Sequence, residues 1–314
     1  MFAACFNNRF TSALVYYVSL LLLILVSPLL LIWELVNTVP SCFRCKENMS
    51  GKVVLITGAS SGLGELIAYE YAKLGAYLAI IARNKPESRL EQVAHRAREL
   101  GSPDVLFMFA DVSKVDECRM FVDETVKHFG RLDHLVCNAG IGQVYCISSD
   151  VTKFTQVLNT NFWGSVYPTH FAVPHLRKTN GKIIINSSLG ALLGAPGGCV
   201  YNASKAALIS FYESLRFEVS PTVTITILML GFIQTDFITA KYTRLKKDLR
   251  DVVPTMEAEP CAKVVVDGIR KGATYITEPR IFKTNVLLKL LFPQVHHFFY
   301  SCFSSLVENY KSSL

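Results

Sequence analysis

Tyr201-Asn202-Ala203-Ser204-Lys205 opens a long amphipathic stretch, so Tyr201 and Lys205 lie four residues apart and share one helix face. A free phenol titrates near pH ~10, and an adjacent ammonium favours the phenolate, moving the group toward acid/base use near neutrality. Ser188, just beyond the apolar run Lys182 to Asn186, offers a hydroxyl that can hydrogen-bond a reacting oxygen.

A second constellation lies upstream. Val53 to Ile56 reads as a buried strand, followed by Thr57-Gly58-Ala59-Ser60-Ser61-Gly62-Leu63-Gly64 and a helix from about Glu65 to Leu74. Strand, glycine-rich turn and helix form the context of a phosphate cradle. Gly58 permits the tight turn, Gly62 lets backbone approach a pyrophosphate, Gly64 lets helix and strand pack closely, and the helix N-terminus faces the phosphates. Glycines serving turn geometry alone are the competing reading.

The next strand, Tyr77 to Ala82, ends at Arg83, with no acidic residue until Glu87. An acid there would bond the ribose 2′-hydroxyl of NAD, whereas a cation neutralises the 2′-phosphate of NADP, so the expected cofactor is NADP(H). Read otherwise, Arg83 is a solvated loop charge. Asp111-Val112 closes a third strand, Val105 to Ala110, at the height of an adenine edge, and a fourth, Leu132 to Cys137, delivers the small residues Asn138-Ala139-Gly140 beside the cofactor.

From Lys52 onward, short apolar runs alternate with amphipathic stretches, the pattern of βα units. The expected fold class is α/β, a Rossmann-type doubly wound parallel sheet of about seven strands, with an N-terminal membrane anchor. Three regions follow: an anchor and juxtamembrane segment at 1–45, the dinucleotide-binding domain at 46–280, and a hydrophobic C-terminal extension at 281–314.

The anchor is read from Ala13 to Val36: no charge appears between Arg9 and Glu34, and the segment, dominated by Leu, Val and Ile, is long enough for a hydrocarbon core of about 30 Å. Pro28 and Pro40 allow either a hairpin in one leaflet or a kinked single-pass helix. Arg44, Lys46 and Lys52 follow the segment against Arg9 before it, which puts the main domain in the cytosol.

Other signals bound the function. The net charge of +7 comes without a dense Lys/Arg block, which argues against nucleic acid as a partner. Nine scattered cysteines do not form a secreted disulfide framework, and Cys42-Cys45 is a single CxxC, better suited to acylation or plain thiols than to metal. No metal site is expected. His296-His297 reads as interfacial, and the apolar run Ile281 to Val307 suits a membrane or a second subunit in a homodimer.

The ordered set TGASSGLG, Asn138-Ala139-Gly140, Ser188 and Tyr201-xxx-Lys205 resembles the short-chain dehydrogenase/reductase family from about Gly51 to Thr277. The resemblance implies that Tyr201 moves the proton, Lys205 lowers its pKa and holds the nicotinamide ribose, Ser188 orients the substrate oxygen, and Asn161 supports a water-linked proton relay. It also implies that Ile233 and Thr235 contact the cofactor. Two departures stand out: Cys137 replaces an Asn before Asn138, which should alter packing more than chemistry, and Leu230-Gly231 replaces Pro-Gly, which should loosen the loop near the nicotinamide.

Within the family, the anchor, Ala82-Arg83, the run Arg131 to Val136 and the run Asn161 to Tyr167 are similar to plant 11β-hydroxysteroid dehydrogenase-like proteins, the steroleosins. That resemblance implies a sterol-like substrate and residence on the endoplasmic reticulum, lipid droplets or both. Phe232, Phe237, Ile238 and Tyr242 would supply an apolar substrate wall, or simply helix packing. The rival functions are a droplet-surface structural or sterol-binding protein on a retained dehydrogenase fold, and a reductase of another lipid such as a retinoid or sphinganine.

Overall fold

A computed structural model describes residues 45–83, 89–142, 150–194, 198–235 and 255–297. The segment 13–36, with Pro28 and Pro40, lies outside the described residues, as do Phe237, Ile238, Tyr242 and everything beyond His297. Among the described residues, no helix is long and apolar enough to cross a membrane.

The chain alternates as its apolar periodicity predicts. In order it forms β1 (Val53–Thr57), α1 (Gly62–Ala72), β2 (Tyr77–Ala82), α2 (Leu90–Glu99), β3 (Val105–Phe109), α3 (Val115–Phe129) and β4 (His134–Cys137). Then come α4 (Phe154–Leu158), a π-helical turn (Asn159–Trp163), α5 (Gly164–Thr179), β5 (Lys182–Asn186), α6 (Gly190–Leu193) and α7 (Cys199–Val219). The last elements are β6 (Thr224–Leu230), β7 (Phe232–Gln234), β8 (Thr255–Glu257), α8 (Ala258–Arg270), β9 (Tyr275–Glu278) and α9 (Phe282–Leu291).

Seven parallel strands form one sheet in the order β3-β2-β1-β4-β5-β6-β9. β1 is buried along its whole length, as expected where helices cover both faces of a parallel sheet. Its side chains alternate between two cores. Val54 and Ile56 join Ile67, Leu90 and Val265 from α1, α2 and α8, while Val53 and Leu55 join Phe121, Leu176 and Leu208 from α3, α5 and α7.

Of the boundaries that differ from the sequence expectation, three bear on the site and the sheet around it. α1 begins at Gly62 rather than near Glu65, so the end of the glycine turn is itself the first helical turn. β4 starts at His134 rather than Leu132; Asp133 just before it bonds both neighbouring strands, its N donating to Val53 O at 2.9 Å and its O accepting from Lys182 N at 2.8 Å, while its carboxylate accepts from Val53 N at 2.9 Å. β6 runs on to Leu230, which is 5% exposed, registers with Glu278 and, through its carbonyl, accepts from Leu189 N at 2.9 Å. The expected loosening at Leu230-Gly231 is therefore absent. Leucine extends the strand, and Gly231 N donates to Glu278 O at 2.8 Å.

The edge of the sheet opposite the strands' C-terminal ends is closed by a polar network. Glu47 accepts from Lys182 Nζ at 2.6 Å and lies 3.3 Å from His134 Nε2. Tyr71 Oη lies 3.0 Å from His134 Nδ1. An acceptor at Nε2 fixes the proton there, so the neutral imidazole accepts from Tyr71 at Nδ1. Burial holds His134 below its usual range, against the pull of Glu47. Burial pushes the Glu47 carboxyl up, but His134 and Lys182 outweigh it and hold the group well below the carboxylate range. Backbone bonds add to the clamp: Glu47 N donates to Arg270 O at 3.0 Å, and Arg270 Nε donates to Glu47 O at 2.8 Å.

A carboxyl depressed in the folded state stabilises above its unfolded pKa, 4.5, and loses that contribution as pH falls below it. Glu47→Gln should therefore cost roughly 2 kcal/mol at neutral pH. Chemical denaturation at neutral pH and below the unfolded carboxyl pKa checks this, the gap from the parent chain closing in acid.

Candidate active site

The C-terminal ends of β1, β2, β4, β5 and β6 open onto one cleft of about 400 Å³. It lies where strand order reverses between β1 and β4, the switch point at which open α/β sheets take ligands. Of the residues singled out from sequence, Gly58, Ser60, Ser61, Gly62, Leu63, Arg83, Val112, Asn138, Ala139, Gly140, Tyr201, Lys205, Ile233 and Thr235 line it.

The glycine turn is shaped by contact as much as by conformation. Gly58 has φ +68°, and a Cβ there would sit 2.7 Å from Ala139 Cα. At Gly64 a Cβ would meet Gly58 O at 2.3 Å and Asn138 Nδ2 at 2.4 Å. Gly64 thus lies behind the cleft wall and seats α1 against the turn. Ser61, at the N-cap, makes no side-chain capping bond, which leaves the first amides of α1 to the cleft. Bare backbone, a helix N-terminus and Arg83 along one cleft fit a dinucleotide.

Asn138 clips the turn in place: Nδ2 donates to Thr57 O and Gly58 O, both at 3.1 Å, while its backbone N donates to Thr57 Oγ1 at 3.1 Å.

At the other end, α7 carries Tyr201 and Lys205 to the cleft, with Lys205 Nζ 5.7 Å from the Tyr201 ring centroid. Lys205 is 4% exposed, and its ammonium donates to Asn186 O at 2.6 Å. Burial lowers its pKa to about 8, opposed by the neighbouring Cys137. Burial pushes the Cys137 thiol itself up to about 12, and its Sγ donates to Ser165 O at 3.6 Å, so it serves packing as a neutral group.

Besides Gly64, four expected residues stand off the cleft wall. The Asp111 carboxylate, expected at the adenine edge, instead accepts from Ser113 N at 2.9 Å and Ser113 Oγ at 2.8 Å in the turn leading into α3. Ser188 lies two residues past β5; its Oγ donates to Leu230 O at 3.3 Å and accepts from Gly190 N at 3.1 Å. Phe232 belongs to β7, which pairs with β8, and packs on the core shared with α7.

Asn161 is fully buried in the π turn. Its Oδ1 accepts from Ile141 N at 2.8 Å, and Nδ2 donates to Ile141 O and Ser204 Oγ, each at 3.0 Å. Ser204 Oγ in turn donates to Tyr201 O at 2.6 Å. The amide of Asn161 is therefore spent on bracing α7 against the chain after Gly140.

Sequence reasoning passed over Thr57, Asn186, Ser187 and Ser204. Ser187 Oγ donates to Lys205 O at 2.9 Å. The available signal was a polar residue ending each apolar strand run, Thr57 after Val53–Ile56 and Asn186 after Ile183–Ile185.

A lysine whose folded pKa lies below its unfolded value binds fewer protons than the unfolded chain between about 8 and 10.5, so stability gains from it as pH rises through that window. The parent chain should gain roughly 2 to 3 kcal/mol over Lys205→Met across this interval. Denaturant titrations at both ends measure it, and a pH-independent difference would contradict a buried, depressed ammonium.

Known proteins resemble the chain in both sequence and fold. The short chain dehydrogenase family matches residues 52–246. The 11-beta-hydroxysteroid dehydrogenase 1A of Arabidopsis thaliana is 51% identical over 261 residues, covering 79% of this chain and 74% of the relative. The 11-beta-hydroxysteroid dehydrogenase-like 4A of the same plant is 44% identical over 291 residues, 92% of this chain and 96% of the relative. Among solved structures, an alcohol dehydrogenase from the archaeon Thermococcus sibiricus, complexed with 5-hydroxy-NADP, superposes with a TM-score of 0.64 at 27% identity, covering 72% of this chain and 94% of that one. A short-chain dehydrogenase/reductase from Mycobacterium marinum gives 0.67 at 26% identity, over 73% and 94%.

Proposed function

The chain belongs to the short chain dehydrogenase family and is an oxidoreductase that uses a nicotinamide cofactor; on that footing we propose that it interconverts a hydroxyl and a ketone on a sterol-like lipid with NADP(H). The observation that carries this reading is the pair Tyr201 and Lys205 on one face of α7, with the ammonium buried against the carbonyl that ends β5. Arg83 on the cleft wall supports NADP over NAD, because a guanidinium meets a 2′-phosphate with charge-assisted hydrogen bonds. The names of the plant relatives support the steroid class.

When bound, the cofactor supplies or accepts the hydride. Tyr201 gives a proton to the carbonyl oxygen in reduction and takes one from the hydroxyl in oxidation. Lys205 favours the phenolate electrostatically and donates to the ribose, while Asn186 O holds its Nζ. The Ser188 hydroxyl orients the substrate oxygen after leaving its 3.3 Å bond to Leu230 O. Gly58, Gly62 and the N-terminus of α1 seat the phosphates.

The purified full chain in detergent should oxidise NADPH with a steroid ketone, and Tyr201→Phe should lower the rate by at least ~10²-fold. Arg83→Asp should remove the preference for NADPH over NADH. Sterol binding without turnover in the parent chain would favour the sterol-carrier alternative.

The apolar stretch 13–36, with Glu34 near its end as its one charge, supports anchorage in the endoplasmic reticulum or a lipid-droplet surface, with the catalytic domain in the cytosol. A chain lacking residues 1–45 should move from the membrane or droplet fraction to the supernatant on centrifugation. Fractionation unchanged by the deletion would place the attachment elsewhere.

A further inference from the structure

Asn186 ends β5 with a hydrogen bond at each of its ends. Its carbonyl accepts from Lys205 Nζ at 2.6 Å. Its side-chain Nδ2 donates to Asn138 Oδ1 at 2.9 Å. Asn138 Nδ2 in turn donates to Thr57 O and Gly58 O, each at 3.1 Å.

Two carbonyl acceptors at one end decide which atom of the Asn138 amide is nitrogen. Its oxygen must then face Asn186, and the Asn186 nitrogen must face back. One polarised chain of hydrogen bonds therefore runs from the glycine turn, through two side-chain amides, to the residue that holds the ammonium.

The strand does not require this side chain. Ile183, Ile184 and Ile185 precede it in β5, and another β-branched apolar residue would continue that run equally well. Asn186 instead lines the cleft between Lys205 and Asn138. A buried ammonium needs its acceptor fixed in place, because a carbonyl that drifts leaves a charge without compensation.

We propose that Asn186 is a positioning residue that couples the phosphate-binding turn to Lys205, so that a dinucleotide seated on the turn and the ammonium facing its ribose stay in register. This rests on the dinucleotide-binding reading of the cleft given above. Seating phosphates on Gly58 sets the Thr57 and Gly58 carbonyls, these set Asn138, and Asn138 sets Asn186.

The test uses NADPH as the probe and measures its dissociation constant across about pH 7 to 10, together with thermal melting, for the parent chain, Asn186→Val and Asn186→Asp. The titratable neighbours of Lys205 are Tyr201 on its own helix and Cys137 on β4. Asn186→Val removes the amide but keeps the carbonyl, and should weaken NADPH binding roughly three- to tenfold, the worth of one such hydrogen bond, while the protein still melts cooperatively. Asn186→Asp keeps the shape, turns the donor facing Asn138 Oδ1 into an acceptor, and adds a carboxylate to the residue whose carbonyl holds the ammonium. It should move the alkaline loss of NADPH affinity upward by about one pH unit, and it carries the test alone if the valine variant does not fold. Folded variants with the parent's affinity and the parent's pH dependence would overturn the coupling while leaving the cofactor reading intact. A parent chain that does not bind NADPH would instead overturn the cofactor reading, and the coupling with it.

Discussion

A protonated amine kept out of water has to be met by fixed acceptors, and the placement of Lys205 imposes that condition on the catalytic half of the fold. The carbonyl that meets it belongs to the last residue of β5, so the length and register of that strand decide where the charge sits. Ser187, one residue further, ties the Lys205 backbone to the same strand end. α7 cannot slide along the sheet without breaking both bonds, and Tyr201, one turn earlier, is placed by the same restraint. The π turn adds a third: Asn161 reaches Ser204 on α7 and Ile141 beyond β4 from a position that a regular helix would rotate away.

The sheet divides its labour between its two edges. At the C-terminal ends of the strands, bare glycine backbone, a helix N-terminus and a desolvated ammonium are individually unfavourable to folding but useful to a ligand. At the opposite edge, Glu47, Lys182, His134 and Tyr71 satisfy one another, and Asp133 takes Lys52, Arg131 and the Val53 amide. Two apolar cores, one on each face, separate the edges. Strain at one end is tolerated because the other end and the cores are well satisfied.

Much of this was legible in residue order. Strand and helix periodicity announced a parallel sheet, and the glycine turn with the Tyr201–Lys205 spacing identified most of the cleft wall, because those features are local. What escaped prediction was tertiary. Asp111 looked available at a strand end, but Ser113 two residues on captures its carboxylate. Leu230 looked like a loosening of a loop, yet β9, nearly fifty residues later in the chain, gives it a strand partner. Asn138 stood out as part of a motif while Asn186 looked ordinary, and their pairing appears only when β4 and β5 lie side by side.

Glu47 also defines where the folded unit can be said to begin. Its main chain clasps Arg270 and its side chain neutralises Lys182, so it closes the base of the sheet although it precedes β1 in sequence. A soluble fragment designed by taking the first strand as its start would leave Lys182 without its counter-ion and the His134 Nε2 proton without its acceptor. The natural cut for a crystallisable or assayable fragment therefore falls before this glutamate, a choice set by charge balance at the floor of the sheet.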